Sequence, residues 1–184
     1  LQTIANGTLN DAVKFTITFR PAADTLRFNY VFASEEYPEW SCSQFNDVFG
    51  FFISGPGING PFQDNGENIA IIPGTNQPVS INNIHPDDGP SCPPQFINFY
   101  NDNNGTMLQP VYDGYLDVFT AQAIVTPCEE YTIKLMITDV GDDIFDSGVF
   151  LEAKSFGTGT LEVEAATVSL DGTLAEGCGD GLLT

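Results

Sequence analysis

Positive charge is almost missing from this sequence: five Lys and Arg stand against 25 Asp and Glu, a net charge of −20 on 184 residues. A surface that negative repels phosphate backbones and anionic headgroups, which excludes nucleic acid and argues against direct contact with lipid. Histidine is scarcer still. His85 stands alone, and Cys42, Cys92, Cys128 and Cys178 show no CxxC or Cys/His spacing, so a zinc centre is not expected. The sequence shows no signal peptide and no apolar run of transmembrane length, so direct membrane insertion is not expected. No G-x-S-x-G or comparable nucleophile motif occurs, and His85 lies among turn residues in Asn83-Ile84-His85-Pro86, where exposure is the ordinary state. Apolar residues at helical spacing are also absent, apart from a turn near Pro94 to Tyr100.

What is abundant is aromatic. Fifteen Phe give a single domain enough apolar material for a core, so disorder is not expected. Val13, Phe15, Ile17 and Phe19 alternate with polar residues and predict a half-buried strand that stops at Pro21. Leu26, Phe28, Tyr30 and Phe32 repeat that pattern. Val48 to Ile53 is nearly all apolar, as in a strand buried on both faces, and Ser54-Gly55-Pro56-Gly57 ends it. Ile69 to Ile72, Val79 to Ile81, Tyr115 to Ala121, Tyr131 to Ile137, Val149 to Ala153 and Leu161 to Thr167 read as further strands. The pattern predicts an all-β fold, a β-sandwich of jelly-roll type with long loops at one pole. Pro86 to Pro110 reads as a long insertion rich in Asn, Asp and Pro. Residues 1–169 are expected to form the sandwich domain, and residues 170–184 a linker or the start of a following domain. The abrupt ends suggest a segment of something longer.

Three acidic clusters lie at strand ends: Ser34-Glu35-Glu36-Tyr37-Pro38-Glu39, Asn46-Asp47, and Asp139-Val140-Gly141-Asp142-Asp143-Ile144-Phe145-Asp146. The last packs four carboxylates into eight residues, which would repel one another without a cation. Its spacing is not that of an EF-hand. Glu35, Glu36, Asp47, Asp139, Asp142, Asp143 and Asp146 are therefore candidate ligands for a hard ion, Ca2+, in a structural role. A solvated turn, with the charge serving only solubility, is the plain alternative. Tyr37 and Trp40, beside the first cluster, are candidate faces for stacking on a sugar ring. Two carboxylates such as Glu35 and Asp47 could imitate a glycosidase pair, although sharing a metal or capping loops accounts for them more simply. The even cysteine count in a Gly-, Asn- and Pro-rich acidic chain fits an oxidising compartment, with three connectivities open.

Several of these runs together resemble a known family. Phe32-Ala33-Ser34-Glu35-Glu36-Tyr37-Pro38-Glu39, Phe45-Asn46-Asp47-Val48-Phe49-Gly50-Phe51-Phe52-Ile53-Ser54-Gly55-Pro56-Gly57, Asn68-Ile69-Ala70 with Pro73-Gly74-Thr75, Val79-Ser80-Ile81-Asn82-Asn83, and Asp142-Asp143-Ile144-Phe145-Asp146-Ser147-Gly148-Val149-Phe150-Leu151-Glu152-Ala153 are similar, in order, to the choice-of-anchor L domain family. The likeness runs from about residue 9 to residue 157. It implies a bacterial cell-surface or secreted protein, common in Bacteroidetes, whose relatives reach the envelope through differing C-terminal anchors, type IX secretion signals among them, and include large adhesins and gliding-related proteins. It implies no catalytic residues. Similar sequences often carry a cysteine near the first strand, where this chain reads Asp11-Ala12-Val13-Lys14. That departure leaves Cys128 to pair with Cys178 or stay free, and Cys42 to pair with Cys92.

The expectation is a non-catalytic, calcium-stabilised extracellular module of a large bacterial surface adhesin or filament. Its expected partners are neighbouring domains of the same chain, surface glycans or another surface protein. A carbohydrate-binding module and a carboxylate-pair hydrolase are the alternatives.

Overall fold

The computed structural model describes residues 1–5, 7–104 and 111–157, with strand backbone also at 167–168 and 182–183. Nine strands build the body: β1 (Leu9–Phe19), β2 (Thr25–Ser34), β3 (Val48–Ser54), β4 (Glu67–Asn68), β5 (Tyr100–Asp102), β6 (Gly114–Leu116), β7 (Phe119–Ile124), β8 (Tyr131–Val140) and β9 (Ser147–Leu151). A short pair, β10 (Thr167–Val168) with β11 (Leu182–Leu183), forms a separate ladder. Three single-turn 3-10 segments are the only helical pieces among the described residues, and none could cross a membrane.

The nine strands form two antiparallel sheets packed as a sandwich. One sheet runs β1-β8-β3-β4. The other is built around β2, with β6 and β7 end to end along one side and β9 along the other, because Ala33 pairs with both Tyr115 and Gly148. The alternation in β2 aims Leu26, Phe28, Tyr30 and Phe32 at the facing sheet, and all four are buried. There they meet β3: the Phe32 and Phe49 rings stack at 5.1 Å, and Tyr30 meets Phe51 edge-on at 4.9 Å. Val48 to Ile53 is buried throughout, as its unbroken apolar run predicts. Each of these rings contributes about 1.5–3 kcal/mol through burial, and edge-to-face geometry adds about 0.5–1.5 kcal/mol per pair.

Several expectations need correction. β1 is an edge strand, and its Val13 and Phe15 are 62% and 59% exposed, lining an open groove with Leu135 of β8 and Val149 and Leu151 of β9. Only Ile17 and Phe19 reach the core, and Phe156 packs edge-on against Phe19 at 5.5 Å. Ile69 to Ile72 and Val79 to Ile81 are not ladder strands. They form isolated bridges, Ile71 to Pro78 and Ser80 to Val48, and a 3-10 turn at Ile81–Asn83, with Ile69, Ile72, Val79 and Ile81 still buried. The stretch from Pro86 to Pro110 is not all loop, since β5 lies within it. Most of the strand expected over Leu161 to Thr167, the boundary at 169/170 and Cys178 lie outside the described residues.

This topology sets one pole. β2 ends, β3 begins, β8 ends and β9 begins at the same end of the sandwich, as the pairs Ser34 with Ser147, Val48 with Thr138, and Leu9 with Val140 require. The loop 35–47 and the loop 141–146 both emerge there.

Candidate functional site

Register brings the acidic clusters to strand ends within each sheet, and the short 141–146 connection from β8 to β9 brings the two ends together. Asp47, immediately before β3, is buried and does structural work: its Oδ1 accepts from the Val140 N–H at 2.9 Å, and its Oδ2 from the Ser147 hydroxyl at 2.6 Å. Ser34 and Ser147 place their hydroxyl oxygens 2.8 Å apart, and Ser34 Oγ also accepts from the Glu36 N–H at 2.9 Å. Glu35 ties the two loops together, since its N–H donates to Asp146 O at 3.1 Å while its Oε2 accepts from the Asp146 N–H at 3.3 Å. Asp142 Oδ1 accepts from Ile144 N–H at 3.2 Å, and its carbonyl accepts from Asn10 Nδ2 at 2.9 Å.

Glu36 is the most unusual member. Its side chain is only 2% exposed, and Oε2 has no hydrogen-bond partner. Burial, and then the charges of Asp47, Asp142, Asp139 and Glu39, push its carboxyl up to about 8. Asp139 is raised to about 7 by burial, then by the charges of Asp47, Asp146 and Asp11. Burial raises Asp47 as well, against the lowering pull of its bonds from Ser147 and Val140. Ion pairs among the described residues join Arg20 to Glu130 and Lys134 to Asp64, neither in this cluster. The pole thus concentrates negative charge that no ion pair among the described residues neutralises, an arrangement that favours protons or a cation.

Six of the seven proposed ligands meet here: Glu35, Glu36, Asp47, Asp139, Asp142 and Asp146. Asp143 is exposed and is not among the charges that perturb Glu36, Asp47 or Asp139. Sequence reading missed Asp11, which acts on Asp139 from the start of β1. The signal available was the Asn10-Asp11 pair ahead of an alternating run, the same grammar as Asn46-Asp47. The carboxylates stand apart: among the described residues, the one trio of Cys, His, Asp or Glu ligand atoms within 4.8 Å of one another is Cys42, His85 and Cys92.

The aromatic candidates separate. Tyr37 is fully buried, with its hydroxyl donating to Ile84 O at 2.7 Å, so it offers no face to a ligand. Trp40 is 37% exposed, meets Phe45 edge-on at 5.1 Å and lies 6.5 Å from Phe145. Cys42 and Cys92 form the expected disulfide. It anchors the acidic loop to the 85–95 segment. His85, expected to be exposed, is instead fully buried against that bond.

The family model for the choice-of-anchor L domain matches residues 1–157. The chain belongs to that family. Searches of curated proteins and of solved structures found no match. Choice-of-anchor L domains belong to bacterial cell-surface and extracellular proteins, which places this chain there and makes it a surface-associated module. The family is one of surface anchoring domains, not typically enzymes.

Proposed function

We propose that the chain is a non-catalytic module of a large bacterial surface adhesin or filament, of the adhesion or gliding type, whose loop pole is locked by a structural calcium ion. The observation that carries this reading is Glu36: a carboxylate oxygen buried at the convergence of four other acids, without a partner. Leaving such a group unmet costs about 1–3 kcal/mol, and more when it is charged. A hard divalent ion bound by Glu36, Asp47 and Asp139, with Glu35, Asp142 and Asp146 or loop carbonyls completing its six to eight ligands, would remove that cost. The present separation of the carboxylates fits their mutual repulsion, and an ion would draw them in. Rigid loops would present the module in a fixed orientation to neighbouring domains of the same chain. Tyr37's burial removes half of the sugar-stacking pair and leaves Trp40 as the partly exposed member.

The test is a thermal melt of the full chain in EDTA and in millimolar calcium. Saturation at about 100 times Kd should add about 2.7 kcal/mol. A midpoint that does not move with calcium rejects the reading.

A further inference from the structure

We propose that Cys42, His85 and Cys92 form a second cation site, distinct from the acidic pole, that exists only when the Cys42–Cys92 bond is reduced and that takes a borderline-soft divalent ion of the zinc class. The three ligand atoms already lie within 4.8 Å of one another. His85 Nε2 is 3.6 Å from Cys42 Sγ, and Nδ1 is 3.6 Å from Cys92 Sγ. Two thiolates and an imidazole are the donor set that zinc prefers.

The histidine's surroundings carry the argument further. Nδ1 lies 2.8 Å from Pro86 O, and a carbonyl oxygen can only accept, so Nδ1 holds the proton. In the neutral ring Nε2 is then a bare lone pair. It faces Cys42 Sγ, which has no proton to give while bonded to Cys92. A fully buried acceptor is thus aimed at a sulfur that cannot donate to it. A hydrogen bond from one ring nitrogen to a backbone carbonyl, with the other nitrogen free, is how metal-bound histidines are oriented. The His85 backbone is itself held, exchanging N–H to O bonds with Gln95 at 3.0 and 3.1 Å. Cys92 is buried, whereas Cys42 is exposed on the turn-rich acidic loop and has room to move as the sulfurs separate. Its exposure also leaves the fourth coordination position to water.

The chemistry balances with an external reductant. A phosphine and one water convert the disulfide to two thiols and a phosphine oxide. A dithiol does the same by becoming a disulfide. Binding of the ion then forms two metal–sulfur bonds and releases two protons. The ion would hold the acidic loop to the 85–95 segment as the disulfide does, so that attachment would survive reduction.

The experiment uses the full chain carrying Cys128→Ser and Cys178→Ser, reduced by phosphine without oxygen, with the acidic pole saturated by calcium. Titration with Co2+ should give one equivalent of a tetrahedral thiolate complex, seen as a thiolate-to-cobalt charge-transfer band with intense visible ligand-field bands, and Zn2+ should displace it. The oxidised chain should give no such band. His85→Ala should weaken binding at least as much as the ~100-fold upper bound for losing a second-shell partner. No thiolate band after reduction, or a band of unchanged affinity in His85→Ala, overturns the proposal. If the serine background does not fold, alkylation of the wild-type chain decides: zinc should protect Cys42 and Cys92 specifically, and equal labelling with and without zinc refutes the site. Calcium cannot produce a thiolate band, so this outcome is independent of the acidic pole.

Discussion

Replacing Glu36 with Gln should stabilise the ion-free protein at alkaline pH and abolish most of its response to calcium. The carboxyl sits at about 8 instead of its ordinary 4.5. Each pH unit of displacement is 1.36 kcal/mol, so ionising Glu36 in the fold costs about 5 kcal/mol as an upper bound. Relaxation of the loops and entry of water should reduce this to about 2–3 kcal/mol. The sign follows from proton binding. Between pH 4.5 and about 8 the folded state holds a proton that the unfolded chain has lost, so the contribution is complete below the lower value and disappears as pH rises through the upper. Asp139 acts in the same direction up to about 7. Gln keeps the shape and cannot ionise. In EDTA at about pH 9, Glu36→Gln should therefore melt about 4–12 °C above wild type, at the 2–4 °C per kcal/mol usual for a chain of this size. At about pH 4 the difference should nearly vanish, because wild-type Glu36 is then protonated in the fold and largely protonated in the unfolded chain as well. Calcium should restore wild type at high pH and do little for the variant. Differential scanning calorimetry of both proteins, with and without calcium, reads all of these arms. A variant no more stable than wild type at pH 9 in EDTA, or one that keeps the full calcium increment, would refute the reasoning.

Asp47→Ala should cost about 2–3 kcal/mol in urea unfolding even without an ion, because the Val140 N–H and the Ser147 hydroxyl lose their acceptor; Asp47→Asn should lose less. Reducing the Cys42–Cys92 bond in metal-free buffer should lower stability by about 4 kcal/mol, from the loop entropy of its 50-residue separation. Phe15→Ser should change stability by no more than about 0.5 kcal/mol, since its ring is exposed, whereas Phe49→Ala in the core should cost about 3–5 kcal/mol. Equal costs for the two Phe variants would mean that β1 is covered in solution.

β2 and β3 were legible because their side-chain patterns report two distinct environments, one face buried and both faces buried. β1 carries the same alternation as β2 but lies at a sheet edge, and alternation encodes which face is apolar without saying whether anything covers it. The convergence of the acidic loops was legible because strand ends must gather at poles. Asp11 escaped attention because its contribution depends on β1 pairing with β8 over 120 residues later, and nothing local marks that register. His85 was misjudged for a related reason. Its neighbours in sequence are turn formers, but the disulfide folds the Cys42 loop over it, and burial follows from that long-range bond.

The disulfide and the acidic pole share one loop, and this makes their energetics interdependent. The segment from Glu35 to Cys42 is fixed at its start by Glu35 against Asp146, in its middle by Tyr37 against Ile84, and at its end by Cys42 against Cys92. Glu36 lies between the first two of these anchors, so its burial is imposed by contacts that do not involve its own carboxylate. A buried group held in place by its neighbours cannot relieve its desolvation by swinging out, and must take up a proton or a cation. Release of the Cys42 anchor should loosen this constraint. Reduction should then bring the Glu36 carboxyl back toward its ordinary range and weaken calcium binding in the same step. Two interactions separated in space but sharing a loop should thus show a coupling energy in a double-mutant cycle of Glu36→Gln with Cys42→Ser. Strict additivity would mean that the acidic pole is rigid without the bond.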